Sequence, residues 1–223
     1  MVVDVIEGHR IWSSQYDASP NPLLALETRV LGERLGEVAG SRILDAGCGT
    51  GRWMQWARQR NASVVGIDAC QEMIAEAARK PGLAGRSALA DIRNLPIRDH
   101  AIDIAICSFT LGYLPSVSAA IRELARVARF LILSDVHPAA LQSGWKRSFR
   151  AHGELYELTH YQHSPEDPEN NPEALGLTPV WRVEAAFDEP ERAIFQAAGK
   201  EDIFQTVTCV PAVLITAWTG ISN

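Results

Sequence analysis

The stretch ILDAGCGTG, residues 43–51, decides how this chain is read. Ile43 and Leu44 open an apolar run typical of a buried strand, and Asp45 sets a carboxylate at its end. Glycine then occupies positions 47, 49 and 51. Glycine takes positive φ at little steric cost, and without a Cβ it lets a bound molecule come close to the backbone. A helix is expected from near Thr50, so its free N–H groups face that molecule. The pattern is a ligand-binding turn between a strand and a helix.

Spacing narrows the ligand. A dinucleotide fingerprint, G-x-G-x-x-G, needs glycine at position 52, where Arg52 stands. A P-loop needs Lys-Ser or Lys-Thr after its last glycine, and this chain has Arg52-Trp53. An acidic residue followed by G-x-G-x-G resembles the first motif of the class I S-adenosylmethionine (SAM) dependent methyltransferases, in particular their ubiquinone-biosynthesis-like, type 11 members.

Three further stretches follow in the order of that family. In VVGIDACQEMI (64–74) an apolar run ends at Asp68, with Ala69 next and a helix beyond. A carboxylate at the end of the second strand lies beside the first turn and accepts hydrogen bonds from ribose hydroxyls. The resemblance assigns Asp91, in ALADIRNLP (88–96), to the adenine amino group and Ile92 to the ring. It also passes the end of the strand 104–109, with Ser108, under the methionine part of SAM. The implied cofactor set is Asp45, Gly47, Cys48, Gly49, Gly51, Asp68, Ala69, Asp91, Ile92 and Ser108. Asp103 reads as a turn residue bonded to neighbouring backbone and stays outside the site.

The implied fold is α/β: a Rossmann-like, seven-stranded, mostly parallel sheet with an antiparallel last strand, helices on both faces and a lid insertion. The chain's own pattern agrees with alternation. Strands are expected near 42–46, 63–68, 86–90, 102–108 and 130–135, with helices near 51–60, 71–80 and 116–128 between them. A helix at 189–198 and two strands, 202–210 and 213–218, close the chain as a terminal hairpin. All 223 residues read as one domain, with residues 1–40 as a helical cover and 141–187 as a substrate lid. Trp12 and Tyr16 either shield the cofactor or pack as ordinary core aromatics.

Composition sets the class. Hydrophobic residues are 47% and charged residues 22% of the chain, an ordinary soluble balance. No apolar run is long enough to span a bilayer, and the first residues do not read as a signal peptide. Cys48, Cys70, Cys107 and Cys209 are scattered, which fits packed thiols of a cytoplasmic protein. Net charge is −6, and the basic patch 146–150 is short, so a nucleic-acid partner, which demands phosphate neutralisation, is not expected. Nor is a membrane partner, and the protein is expected as monomer or homodimer.

Methyl transfer needs an in-line geometry and a dry site. A base is needed where the acceptor carries a proton. His137 follows the strand FLILSDV at the carboxyl edge of the sheet and is the candidate base, with Tyr113 the alternative. The insertion carries aromatic and titratable side chains suited to a flat organic acceptor, and Trp145, Tyr156, His160 and Trp181 are the candidate substrate residues. Its turn-rich stretch EDPENNPEALGLTP (166–179) is expected to be a mobile part of the lid. His152, His160 and His163 lack zinc-site spacing, so no metal is expected. The expected activity is methyl transfer from SAM to a small organic molecule, O-methylation ahead of C- or N-methylation. The alternative is a catalytically silent SAM-binding subunit.

Overall fold

A computed structural model describes residues 1–18, 20–163 and 170–220. In chain order the elements are β1 (Val2–Val3), α1 (Val5–Trp12), α2 (Pro22–Leu35), β2 (Arg42–Ala46), α3 (Arg52–Gln59), β3 (Ser63–Asp68), α4 (Gln71–Arg79), β4 (Ser87–Leu89), β5 (Ile102–Ser108), α5 (Ser118–Val127), β6 (Ala128–Val136), α6 (Pro138–Gln142), β7 (Ser148–Ala151), β8 (Glu154–Leu158), β9 (Leu177–Ala185), α7 (Glu189–Ala197), α8 (Glu201–Val207) and β10 (Val213–Gly220).

Seven strands form one sheet in the order β4-β3-β2-β5-β6-β10-β9. The first five are parallel to their neighbours, while β10 is antiparallel to both β6 and β9. Strands covered on both faces must be apolar almost throughout, and β2 is buried from Ile43 to Ala46. On one face Leu26 and Leu31 of α2, Trp53 and Met54 of α3 and Phe195 of α7 pack on Ile43, Ile106 and Ile215. On the other, Ile121 and Leu124 of α5 cover Leu44, Ala105 and Leu131. The chain runs outward from β2 to β4 and then returns to place β5 on the opposite side of β2. That reversal opens a crevice at the carboxyl ends of β2 and β5.

Two strands of the insertion and the N-terminal β1 make a separate three-stranded sheet, β1-β8-β7. Phe149 and Tyr156 bury against Ile11 and Trp12 of α1, so the insertion and the N-terminal helix form one layer over the crevice.

Two expectations are corrected. Residues 202–210 do not form a strand: Glu201–Val207 is helix α8, with Glu201 and Asp202 in its first turn, where the helix dipole favours acids. The strand that pairs with β10 is β9 instead, so much of the last part of the expected lid, 177–185, belongs to the main sheet. The stretch expected to be a mobile part of the lid lies partly outside the described residues, at 166–169. Asp103 is not a turn residue bonded to its neighbours; its carboxylate ties β5 to β2 by accepting from the Arg42 backbone N–H and guanidinium at 2.7–3.0 Å.

Candidate active site

A cavity of about 470 Å³ fills the crevice. The glycine turn is its floor. Gly47 and Cys48 donate their N–H groups to Ile67 O at 2.7 and 2.9 Å, which fixes the turn against β3. Gly47 has φ +77, and a Cβ there would stand 2.2 Å from Thr110 Oγ1. Gly49 has φ +51, and a Cβ there would meet no atom within 4 Å, because the position faces open space. The turn is thus tight on its protein side and clear on its cavity side. Asp68 joins the two loops that flank it, accepting from Gly49 N at 2.7 Å and Cys70 N at 2.8 Å. Each carboxylate oxygen keeps a further lone pair for a ligand hydroxyl. Burial raises the Asp68 pKa, against the pull of the backbone N–H donors.

Asp45 is 2% exposed at the end of β2 and accepts from Met54 N at 3.2 Å. Burial pushes its pKa up to about 7, with Arg52 pulling the other way. Asp91, held below its ordinary value by Arg93, lines the same cavity beside the buried Ile92.

The opposite wall comes from the cover. His9 of α1, Tyr16, Leu24 of α2, Phe109 and Tyr113 close the cavity from above. Burial, then the Arg147 charge, lowers the His9 pKa to about 4, so this imidazole is neutral at pH 7. Its ring meets Tyr113 edge-on at 5.2 Å. Arg147 lies over the Tyr113 ring at 4.5 Å and donates to Phe109 O at 2.7 Å. Its charge is matched by Asp135, with which it forms an ion pair. Burial works against the Asp135 carboxylate, but Arg147 and His160 outweigh burial and hold it below its ordinary value.

Residues 44–130 match the family model described as a methyltransferase domain. The malonyl-[acyl-carrier protein] O-methyltransferase of Pectobacterium atrosepticum is 35% identical over 129 residues, covering 53% of this chain and 51% of the relative. The chain thus spans about half the length of that curated relative. In fold it is similar to an S-adenosylmethionine dependent methyltransferase from Mesorhizobium loti (TM-score 0.65, 22% identity, 89% of this chain and 100% of the other). It is also similar to magnesium protoporphyrin IX methyltransferase from Synechocystis PCC 6803 with bound SAM (TM-score 0.57, 20% identity, 89% and 79%). Residues 44–130 are thus similar to a methyltransferase domain, and the chain has the fold of the SAM-dependent methyltransferases.

SAM is the cofactor of such a domain, and the residues present fit it: a glycine floor open toward the cavity, and carboxylates at Asp45, Asp68 and Asp91. Of the cofactor set expected from the sequence, Asp45, Gly47, Cys48, Gly49, Asp68, Ala69, Asp91, Ile92 and Ser108 all line this cavity. Gly51 does not. It stands behind the turn as the N-cap of α3, where a Cβ would press on Leu83 at 2.8 Å.

Tyr113 lines the cavity, whereas His137 does not. The His137 Nδ1 accepts from Ala139 N at 3.1 Å and so caps α6. Its Nε2 turns toward Glu184 of β9, 3.5 Å away. The residue expected as the base thus sits at the carboxyl edge of β6 as the cap of α6, outside this cavity, with its Nδ1 engaged two residues ahead.

The four expected substrate residues are not brought together. Trp145 lines a small chamber beyond Tyr16. Tyr156 is buried under Phe149, their rings 5.2 Å apart. His160 and Trp181 line a separate cavity over β6, β10 and β9. Among residues without a motif, His9 joins the wall, while Glu27 and Arg147 stand behind it as the partners of Arg52 and Asp135. His9 carries no pattern in the sequence, and Glu27 and Arg147 sit in helical or turn stretches whose charges read as solvated.

Proposed function

We propose that this protein transfers a methyl group from SAM to an oxygen of a small organic molecule, in the cytoplasm. The observation that carries the reading is that one cavity holds the glycine turn, Asp68 and Asp91 at one end and opens past Tyr16 and Tyr113 toward a second chamber. Oxygen is favoured because the similar curated protein is an O-methyltransferase.

Gly47, Gly49, Asp68 and Asp91 would hold SAM, which supplies an activated methyl when bound. What the chain itself does is orient and dry the site. Phe109 and Leu24 exclude water, which keeps the field of Asp45 strong. The neutral His9 imidazole accepts a hydrogen bond from a hydroxyl acceptor, and Tyr113 orients it, so the acceptor oxygen is held on the methyl side of the cavity. A carboxylate acceptor needs no base, since it has no proton to lose. Residues within 141–187 supply the outer wall through Trp145 and Arg147.

The test is release of S-adenosylhomocysteine (SAH) by purified protein with a panel of carboxylic acids, phenols, quinols and amines. Turnover with a carboxyl or hydroxyl acceptor supports the reading. SAH that binds with no turnover across the panel, or turnover with amines alone, would sink it.

A further inference from the structure

Two further chambers adjoin the cofactor cavity, and their walls overlap in sequence. The cofactor cavity and a chamber of about 180 Å³ share Tyr16, Leu24, Phe109 and Tyr113. That small chamber and an outer one of about 620 Å³ share Trp12, Leu23 and Trp145, besides Tyr16 and Leu24. Tyr16 and Leu24 belong to all three, so the chambers lie end to end about this pair, from the glycine turn to the outer surface.

The wall chemistry changes along this line. At the neck, Lys146 pairs with Glu157 and Arg147 with Asp135, so both cations are matched. The outer chamber is bounded by Phe149, Phe187, Phe195 and Ile194. Trp145 stacks on Phe187 at 5.9 Å, and Trp12 on Phe149 at 4.7 Å, which makes two flat apolar walls. Among the described residues no carboxylate lines this chamber, although the whole chain carries net charge −6. The charged residues on it are Arg150 and Lys200, both exposed, and neither forms an ion pair with a described residue.

We infer that the acceptor is an elongated amphiphile: its methylated end enters through the neck, an apolar chain lies in the outer chamber, and an anionic group at the far end meets Arg150 and Lys200. The identity of the reacting end rests on the methyl-transfer reading, whereas the chamber for the tail does not. A compact acceptor would leave the outer apolar walls facing water. A long chain fills them, and burying each methylene strengthens binding by roughly fourfold.

Binding of octanoic, decanoic and dodecanoic acid and of 1-dodecanol, followed by calorimetry with SAH present, tests this. Affinity should rise by roughly fourfold per methylene through the acids, and the acid should bind more tightly than the alcohol of equal length. The doubly substituted Arg150→Glu, Lys200→Glu protein should lose the preference for the acid and keep its SAH affinity, which also shows that it is folded. Affinity independent of chain length, or a preference for the acid that survives the double reversal, overturns the inference. If the acids bind as stated but no acceptor in the panel is methylated, the tail chamber stands and the methyl-transfer reading falls.

Discussion

Arg52, the first residue of α3, forms an ion pair with Glu27 of α2, whose side chain is wholly buried. The same guanidinium donates to Ser108 Oγ at 2.9 Å, at the end of β5. Glu27 in turn accepts from Trp53 Nε1 at 3.3 Å and from the Ser134 hydroxyl of β6. One carboxylate thereby ties the cover to the glycine-turn helix and to the sheet beneath the cofactor.

Breaking that network should loosen both fold and site. Glu27→Ala leaves Arg52, Trp53 and Ser134 without their acceptor, and loss of one partner of a buried ion pair costs about 3–5 kcal/mol. Chemical denaturation should show a loss of that order, with weaker SAM binding because α2 no longer seats Leu24. A loss below about 1 kcal/mol, the scale of an exposed pair, would show the network to be peripheral.

Asp68→Ala removes the acceptor for Gly49 N and Cys70 N together with any ribose contact. SAH affinity should fall by ~1.5–3 kcal/mol, the range for a hydrogen bond to a charged group. Asp68→Asn should recover part of it, since the amide oxygen accepts one of those N–H groups. Calorimetry with unchanged affinity in a folded Ala variant would take Asp68 out of the cofactor site.

How much of this was legible in the sequence depends on where the information lay. The carboxyl ends of β2, β3 and β5 were readable because a buried parallel strand must be a continuous apolar run, and each run stops at a polar residue: Asp45, Asp68, Ser108. The edge strand β9 was not. Its LTPVWRVEA carries a proline, two charges and several exposed residues, a composition that an edge tolerates and that reads as a loop. Pro179 sits where the register with β10 shifts, opposite Trp218. Helix α8 was missed for the opposite reason: IFQTVTCV has the branched and aromatic content of a strand, but Phe204 is the residue it buries, and the acids of its first turn favour helix. His9 and Arg147 reach the site through the packing of α1 on the β1-β8-β7 sheet. No spacing rule within either segment encodes that long-range contact.

Asp45 should give the protein a distinct pH response. Its carboxyl, ordinarily near 3.8, is raised to about 7 by burial. A carboxyl raised on folding keeps its proton in the folded state across that window, so folding stability contributed here declines as pH climbs from about 4 to about 7 and is fully lost above it. Asp45→Asn should therefore match the parent at pH 4 and exceed its stability at pH 8. The cationic charge of SAM favours the ionised form, so binding below pH 7 should release a proton and weaken as pH falls. Calorimetry at pH 6.5 in buffers of different ionisation enthalpy measures that proton, and no release would show that SAM binding is not coupled to the Asp45 proton.

His137, His9 and Tyr113 make opposed predictions for the acceptor side. His137→Ala removes the cap of α6, so it should cost about 1 kcal/mol of stability and leave kcat nearly unchanged. His9→Phe keeps the ring against Tyr113 but removes the acceptor nitrogen. With a hydroxyl acceptor it should lower kcat by roughly five- to tenfold, the scale of one lost hydrogen bond of ~1–1.5 kcal/mol, while SAH affinity stays within about twofold. Tyr113→Phe should raise KM more than it lowers kcat, because it orients the acceptor beside Arg147. A carboxylate acceptor has no proton to lose, so with it the His9→Phe effect should shrink. Normal turnover of hydroxyl acceptors in His9→Phe, or a large kcat loss in His137→Ala, would place the contact with the acceptor on the β6 edge instead of under α1.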